Sequence, residues 1–221
     1  MAKDNSPPGN AAPDDVTVAV SNEALLKAES FVEQEEGAAN RLMGWAGKIS
    51  TTIAVVMSLF HLYAAYAIVP TQELRYTHVA FTLVLSFLLF PVAMRFRNRV
   101  RWWDIVPGLF AVATIGYALW GGDDFTDRAT SPDRLDVIVG LVFIVLLLEA
   151  TRRTTGPIMP VVSLFFIAYA MLGPHLPAPW THRGYDLPRL VGHLFITLEG
   201  IFGVAVDVSA TLIILFTIYG A

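Results

Sequence analysis

The sequence predicts an all-α fold: a polytopic membrane protein built as a helical bundle of about five to six transmembrane helices plus an interfacial amphipathic helix. Three observations point there. Hydrophobic residues fill 55% of the 221 positions and charged residues only 15%, whereas an ordinary soluble domain carries about a quarter charged residues. Mean hydropathy is +0.56. The apolar residues are gathered into at least five long runs, separated by short links that hold charge, proline or glycine. One such run could be the core of a small soluble protein; five could not.

The elements follow in chain order. Residues 1–20, with Ser6-Pro7-Pro8-Gly9-Asn10 and Pro13-Asp14-Asp15, read as a disordered tail. Residues 23–36 suit a short acidic helix capped by Ser21 or Asn22 and stopped by Gly37. The first span covers 49–69, 21 residues whose ionisable side chains are His61 and tyrosines. At 1.5 Å per residue that crosses a hydrocarbon core of about 30 Å. Its position behind a long polar leader sets it apart from a cleavable signal peptide. Further runs occupy 78–94, 105–120, 135–151 and 157–172. Several lie at the short end of the spanning range and can borrow flanking residues.

Charge sets the expected orientation. Arg95, Arg97, Arg99 and Arg101 crowd the link after the second run, and Arg152 and Arg153 follow the fourth. The link over 121–134 carries Asp123, Asp124, Asp127 and Asp133 against Arg128 and Arg134. The positive-inside bias then puts the N-terminus in the cytoplasm and both 70–77 and 121–134 outside. Trp102 and Trp103 fall where interfacial aromatics belong. The fifth span is harder to orient, because parity places 173–190 outside although it holds Arg183, Arg189 and two histidines.

From 187 to 198 the apolar residues Leu187, Leu190, Val191, Leu194, Phe195 and Leu198 draw one helical stripe. Arg189, His193, Thr197 and Glu199 take the other faces, with Asp186 as N-cap and Pro188 in the first turn. Such a helix suits a membrane surface or partner helices better than a lone crossing, and the surface position is the expectation. Gly200 and Gly203 interrupt it, and a new apolar run opens at Val208 and continues to Ala221. The expectation is that the chain is an N-terminal portion of something longer.

Charge, cysteine and motif content exclude several functions. Residues 1–48 hold four basic side chains (Lys3, Lys27, Arg41 and Lys48) against eight acidic ones, and the remainder balances. No basic domain exists to neutralise phosphates, which argues against a nucleic-acid partner. The absence of cysteine removes disulfides, zinc-thiolate sites and thiol nucleophiles. Gly-x-Ser-x-Gly, His-Glu-x-x-His, Walker A and Gly-x-Gly-x-x-Gly patterns are all missing. The sequence therefore predicts no enzyme, no catalytic residues, no metal site and no nucleotide-driven pump.

Several stretches together resemble a known family. They are Ser58-Leu59-Phe60-His61-Leu62-Tyr63, Arg75-Tyr76-Thr77-His78-Val79-Ala80-Phe81 and Leu88-Leu89-Phe90-Pro91. Next come Leu147-Leu148-Glu149-Ala150-Thr151-Arg152-Arg153-Thr154-Thr155-Gly156 and Ala168-Tyr169-Ala170. Gly173-Pro174-His175-Leu176-Pro177, His182-Arg183-Gly184-Tyr185, Glu199-Gly200-Ile201-Phe202-Gly203 and Val208-Ser209-Ala210-Thr211 complete the set. From about residue 41 onward the chain resembles the N-terminal part of fused permeases of tripartite ATP-independent periplasmic (TRAP) transporters, of the type paired with TAXI solute-binding proteins.

The resemblance implies a cytoplasmic tail over 1–48, a four-helix small-subunit-like membrane domain over 49–153, and the start of a large-subunit-like permease domain over 154–221. It implies uptake of organic acids in the bacterial inner membrane, driven by an ion gradient, commonly sodium. The implied partners are a periplasmic TAXI-type binding protein, the rest of the large permease domain and the lipid bilayer. In the family the ion and substrate sites lie in the larger subunit, so the coupling ion and substrate are expected to bind beyond these residues, leaving no cofactor here. The alternative is a structural scaffold or anchor module that does not transport.

Four residues remain as candidates for function, each beside a plainer reading. Glu149 is a carboxylate near the end of the fourth run, yet Arg152 and Arg153 at i+3 and i+4 suffice to explain it. His61 sits mid-span and could relay protons, but a neutral imidazole bonded between helices is the plainer account. Glu199 and Asp207 flank the glycine-broken element, the kind of place where transporters expose backbone and collect ions. Asp207 also stands where the family resemblance implies a small or apolar residue.

Overall fold

The computed structural model describes residues 24, 25, 27, 28, 42–93, 96 and 100–220. The tail expected over 1–20, most of the acidic helix expected over 23–36, and Arg95, Arg97 and Arg99 lie outside the described residues. Met1–Gly37 forms one unit, in which Ala24, Leu25, Lys27 and Ala28 are helical. Ala38–Ala221 forms the other, and all the regular structure among its described residues is helical. That unit takes in both the 49–153 and the 154–221 segments.

Its first five helices are α1 (Gly44–Tyr66), α2 (Thr71–Leu89), α3 (Trp102–Asp127), α4 (Arg134–Thr155) and α5 (Ile158–Leu172). They match the five apolar runs, with ends displaced by up to seven residues. Among the described residues, three helical stretches are long and apolar enough to cross a membrane: Gly44–Tyr66, Trp102–Thr130 and Ile158–His175. The other two long helices are more polar for identifiable reasons. The first turns of α2 hold Gln72, Glu73 and Arg75, and α4 carries Asp136 at one end with Glu149, Arg152 and Arg153 at the other.

Helix α3 has a break that the sequence reading missed. Gly122 adopts φ +51°, ψ −132°, a conformation a side chain would strain. It turns the chain two residues past Trp120, where the apolar run was expected to end. Beyond it, Asp123 to Asp127 are helical and Arg128–Thr130 forms a 3₁₀ turn, so most of the link expected over 121–134 is ordered helix.

The core is drawn from facing stripes at helical spacing. Helix α2 contributes Tyr76, Val79, Leu83 and Phe87; α3 contributes Ala111, Ile115 and Ala118; α4 contributes Phe143, Leu146 and Ala150. Small alanines on α3 and α4 let the backbones come close, while the aromatic side chains fill the space between.

The segment after α5 corrects the sequence reading. Leu187–Val191 is a short helix, α6, which widens into a π-type turn at Gly192–Ile196 and stops there. Much of its apolar stripe meets protein and not the open surface expected for it, while Leu187 at its start is exposed. Val191, Phe195 and Ile196 are buried in the same core as α2, α3 and α4, and Leu190 is buried as well. Protein covers the stripe because Gly140 on α4 leaves room for it: a Cβ there would collide with Val191 and Phe195. Asp186 holds the N-cap position without a side-chain cap bond. After an irregular stretch at 197–203 the helix resumes at Val204, not Val208, as α7 (Val204–Val208). A second widened turn (Ser209–Ile213) leads into α8 (Ile214–Gly220).

Candidate functional site

The irregular stretch at 197–203 and the face of α2 that grips it form the best-organised polar site in the described residues. Thr197 leaves the helix with φ −82° and ψ 155°. Its hydroxyl donates to the His193 carbonyl (2.7 Å) and accepts the backbone N–H groups of Glu199 and Gly200 (3.2 Å each). The Ile201 N–H reaches back to the Leu194 carbonyl at 2.9 Å. Gly200 is required by close approach, since a Cβ would strike the backbone of His193 and Leu194. Phe202 then drops into the core, 4.2 Å from the Tyr76 ring and stacked on Phe143 at 5.3 Å.

Breaking a helix strands carbonyl groups that must find partners. Here α2 supplies them. Arg75 donates through one terminal nitrogen to the carbonyls of Leu198 (3.4 Å) and Phe202 (3.0 Å). Its Nε and other terminal nitrogen reach Asp207 Oδ1 at 3.1 and 3.0 Å. Tyr76 donates its hydroxyl to the Ile196 carbonyl at 3.1 Å. One turn further along α2, His78 Nε2 lies 3.1 Å from Ser209 Oγ, and its Nδ1 lies 2.9 Å from His61 Nε2 on α1. His61 Nδ1 in turn faces the Met57 carbonyl at 2.7 Å. Both imidazoles are buried.

The four sequence candidates therefore part company. His61 and Asp207 belong to this site, Asp207 as the carboxylate that completes the Arg75 cluster. Glu199 is exposed at the rim of the loop. Glu149 lies in a separate cluster at the far end of α4, where it accepts from Arg152 (2.7 and 2.8 Å) and from Arg153 (2.8 Å). Arg153 also donates to Asp104 at 2.7 Å and to the Trp103 carbonyl at 3.1 Å. The Arg153 and Asp104 side chains are only 2% and 3% exposed. This second cluster pins α4 to the start of α3.

A third polar cluster sits near the start of α4. Asp136 accepts from Arg128 (2.8 and 3.2 Å), from the Tyr117 hydroxyl (2.7 Å) and from the Asp133 backbone N–H (2.9 Å). Among the described residues no group of three or more His, Cys, Asp or Glu side chains is placed to hold a metal ion.

Sequence reasoning gave no role to Arg75, Tyr76, His78 or Ser209, although all four lie in the stretches that carry the family resemblance. One signal was available: Arg75 and His78 are spaced i, i+3 in the first half of α2, ahead of its apolar second half. Comparison with known protein families, with curated proteins and with solved structures finds no match for this chain.

Proposed function

We propose that the chain is a membrane permease component of a TRAP-type uptake system for organic acids, in which it supplies mainly scaffold. One observation supports this above all: a broken helical element at 197–203 seated on a helical bundle by Arg75 and Tyr76. Transporters place non-helical backbone at membrane depth only where protein or a cavity satisfies it, and they use such breaks to form sites. In this reading the protein sits in the bacterial inner membrane as a multi-pass bundle of five to six spans with a cytoplasmic N-terminus. α2 and α4 cross as well, since their charged ends are paired within the protein. A TAXI-type binding protein delivers substrate, and the coupling ion and substrate bind in the larger permease domain.

A second reading, a scaffold or anchor module without transport, draws support from the pairing of Asp207, Asp136 and Glu149 with arginines. Reconstitution separates the two. Proteoliposomes holding the full transporter that contains this sequence, with its binding protein, are expected to accumulate an organic acid in an ion-dependent way. Vesicles with residues 1–221 and the same binding protein are expected to accumulate none. Failure of the full transporter to take up any organic acid would leave the scaffold reading. Uptake by residues 1–221 alone would move the transport site into this segment.

A further inference from the structure

We propose that His61, His78 and Ser209 form a buried one-proton site that joins α1, α2 and the helical segment beyond the break. The inference rests on hydrogen-bond direction and is independent of the permease reading. The chain of contacts starts at the Met57 carbonyl, which can only accept. His61 Nδ1, 2.7 Å away, must therefore carry a hydrogen. In a neutral imidazole the other nitrogen is then bare. Nε2 of His61 accepts from Nδ1 of His78 at 2.9 Å. That fixes the second ring as well, and leaves Nε2 of His78 to accept the Ser209 hydroxyl at 3.1 Å. Every polar atom in the row has a partner, and both rings are the Nδ1–H tautomer.

The same row of atoms can accept one additional proton. A proton on Nε2 of His78 turns that nitrogen into a donor, and Ser209 Oγ turns from donor to acceptor. The imidazolium keeps both bonds, Nδ1–H to His61 and Nε2–H to Ser209. A second proton has no place. It would set two N–H groups facing each other across 2.9 Å and put two cations in rings whose centres are 5.0 Å apart.

The charged groups around the pair leave this stoichiometry intact. On α2 the nearest is Arg75, and on α7 it is Asp207; these two neutralise each other. On α1 the neighbour of His61 is the Phe60 ring, edge-on at 5.2 Å, and α1 has Lys48 as its one charged residue. α8 carries Tyr219 as its titratable side chain. Arg75–Asp207 and His78–Ser209 are thus two rungs, one turn apart, that hold the resumed helix to α2. The proton occupies the second rung.

Nitrogen NMR on the full chain in lipid bilayers, with ¹⁵N-histidine, reads the site directly. At pH 8 two neutral Nδ1–H imidazoles are expected, joined by a scalar coupling across the N–H···N bond. His182 serves as an internal contrast. Its Nε2 faces the Tyr169 carbonyl at 3.0 Å and its Nδ1 accepts the Gly184 N–H at 3.1 Å, so it is the opposite tautomer. Replacing the exposed His175 and His193 by Asn clears the remaining signals without touching the pair. Titrated further into acid, the pair is expected to take up one proton, with the coupling retained. A missing coupling at pH 8, two imidazolium signals from the pair, or no proton uptake by the pair before the protein unfolds in acid would each overturn the proposal. Ser209→Ala is expected to keep the coupling and to bind the proton about three- to tenfold less tightly, because a charge-assisted bond is lost and a weaker neutral one with it. Unchanged proton affinity in that variant would remove Ser209 from the site.

Discussion

Arg152 and Arg153 are adjacent, both bond Glu149, and yet they do different work. Arg152 is 40% exposed and its partner 30%, so water screens the pair and the attraction contributes about 0–1 kcal/mol. Arg153 is closed off with Asp104 between α3 and α4, where removal of one partner leaves a buried charge alone and costs about 3–5 kcal/mol. Arg153→Gln is therefore expected to destabilise the bundle by about that amount and Arg152→Gln by less than about 1 kcal/mol. Unfolding titrations in mixed micelles check the contrast; equal losses would show that the buried pair is not special. The sequence made Glu149 legible with both arginines because helical spacing brings them together. It left Asp104 illegible, since its partner lies 49 residues away. Distance in sequence also hid Arg75 from Asp207 and His78 from Ser209, separated by 132 and 131 positions.

Elements show the same division between local and distant causes. The five long helices could be read because run length and composition determine them locally. The 187–198 stripe was legible as a helical face only as far as Ile196, where the helix stops, and what covers that face was not legible, because an apolar face has the same pattern whether lipid or protein meets it. Gly140 decides the matter, and an isolated glycine within an apolar run gives no hint of what approaches it. The widened turns at Gly192–Ile196 and Ser209–Ile213 have no compositional mark either. Two predictions follow from the buried stripe. Phe195→Ala is expected to cost about 3–5 kcal/mol in the same unfolding assay, as for other fully buried aromatics, while Arg189→Ala on the exposed face changes stability by less than about 0.5 kcal/mol. Single cysteines at 190, 191 and 195 are expected to resist a maleimide that modifies 189 and 193. Uniform reactivity along the segment would return the stripe to a surface position.

For the whole molecule, the three polar clusters sort by position along the helices in a way that bears on topology. The Arg128–Asp136–Tyr117 cluster lies near the end of α3 and the start of α4, with Arg75 near the start of α2. The Glu149–Arg153–Asp104 cluster lies at the end of α4 and the start of α3. Antiparallel neighbours put the first set toward one end of the bundle and the second toward the other. Only the second end carries unbalanced cation, since Arg95, Arg97, Arg99 and Arg101 belong to the link between α2 and α3, and short basic links stay in the cytoplasm. The link after α3 has Asp123, Asp124 and Asp127 instead. The cysteine-free sequence allows a direct check with single substitutions. In intact cells an impermeant maleimide is expected to label a cysteine at position 126 and to leave one at position 98 unmodified until the membrane is opened. The reverse pattern would invert the bundle and place the Arg75 site at the cytoplasmic face, away from any periplasmic binding protein.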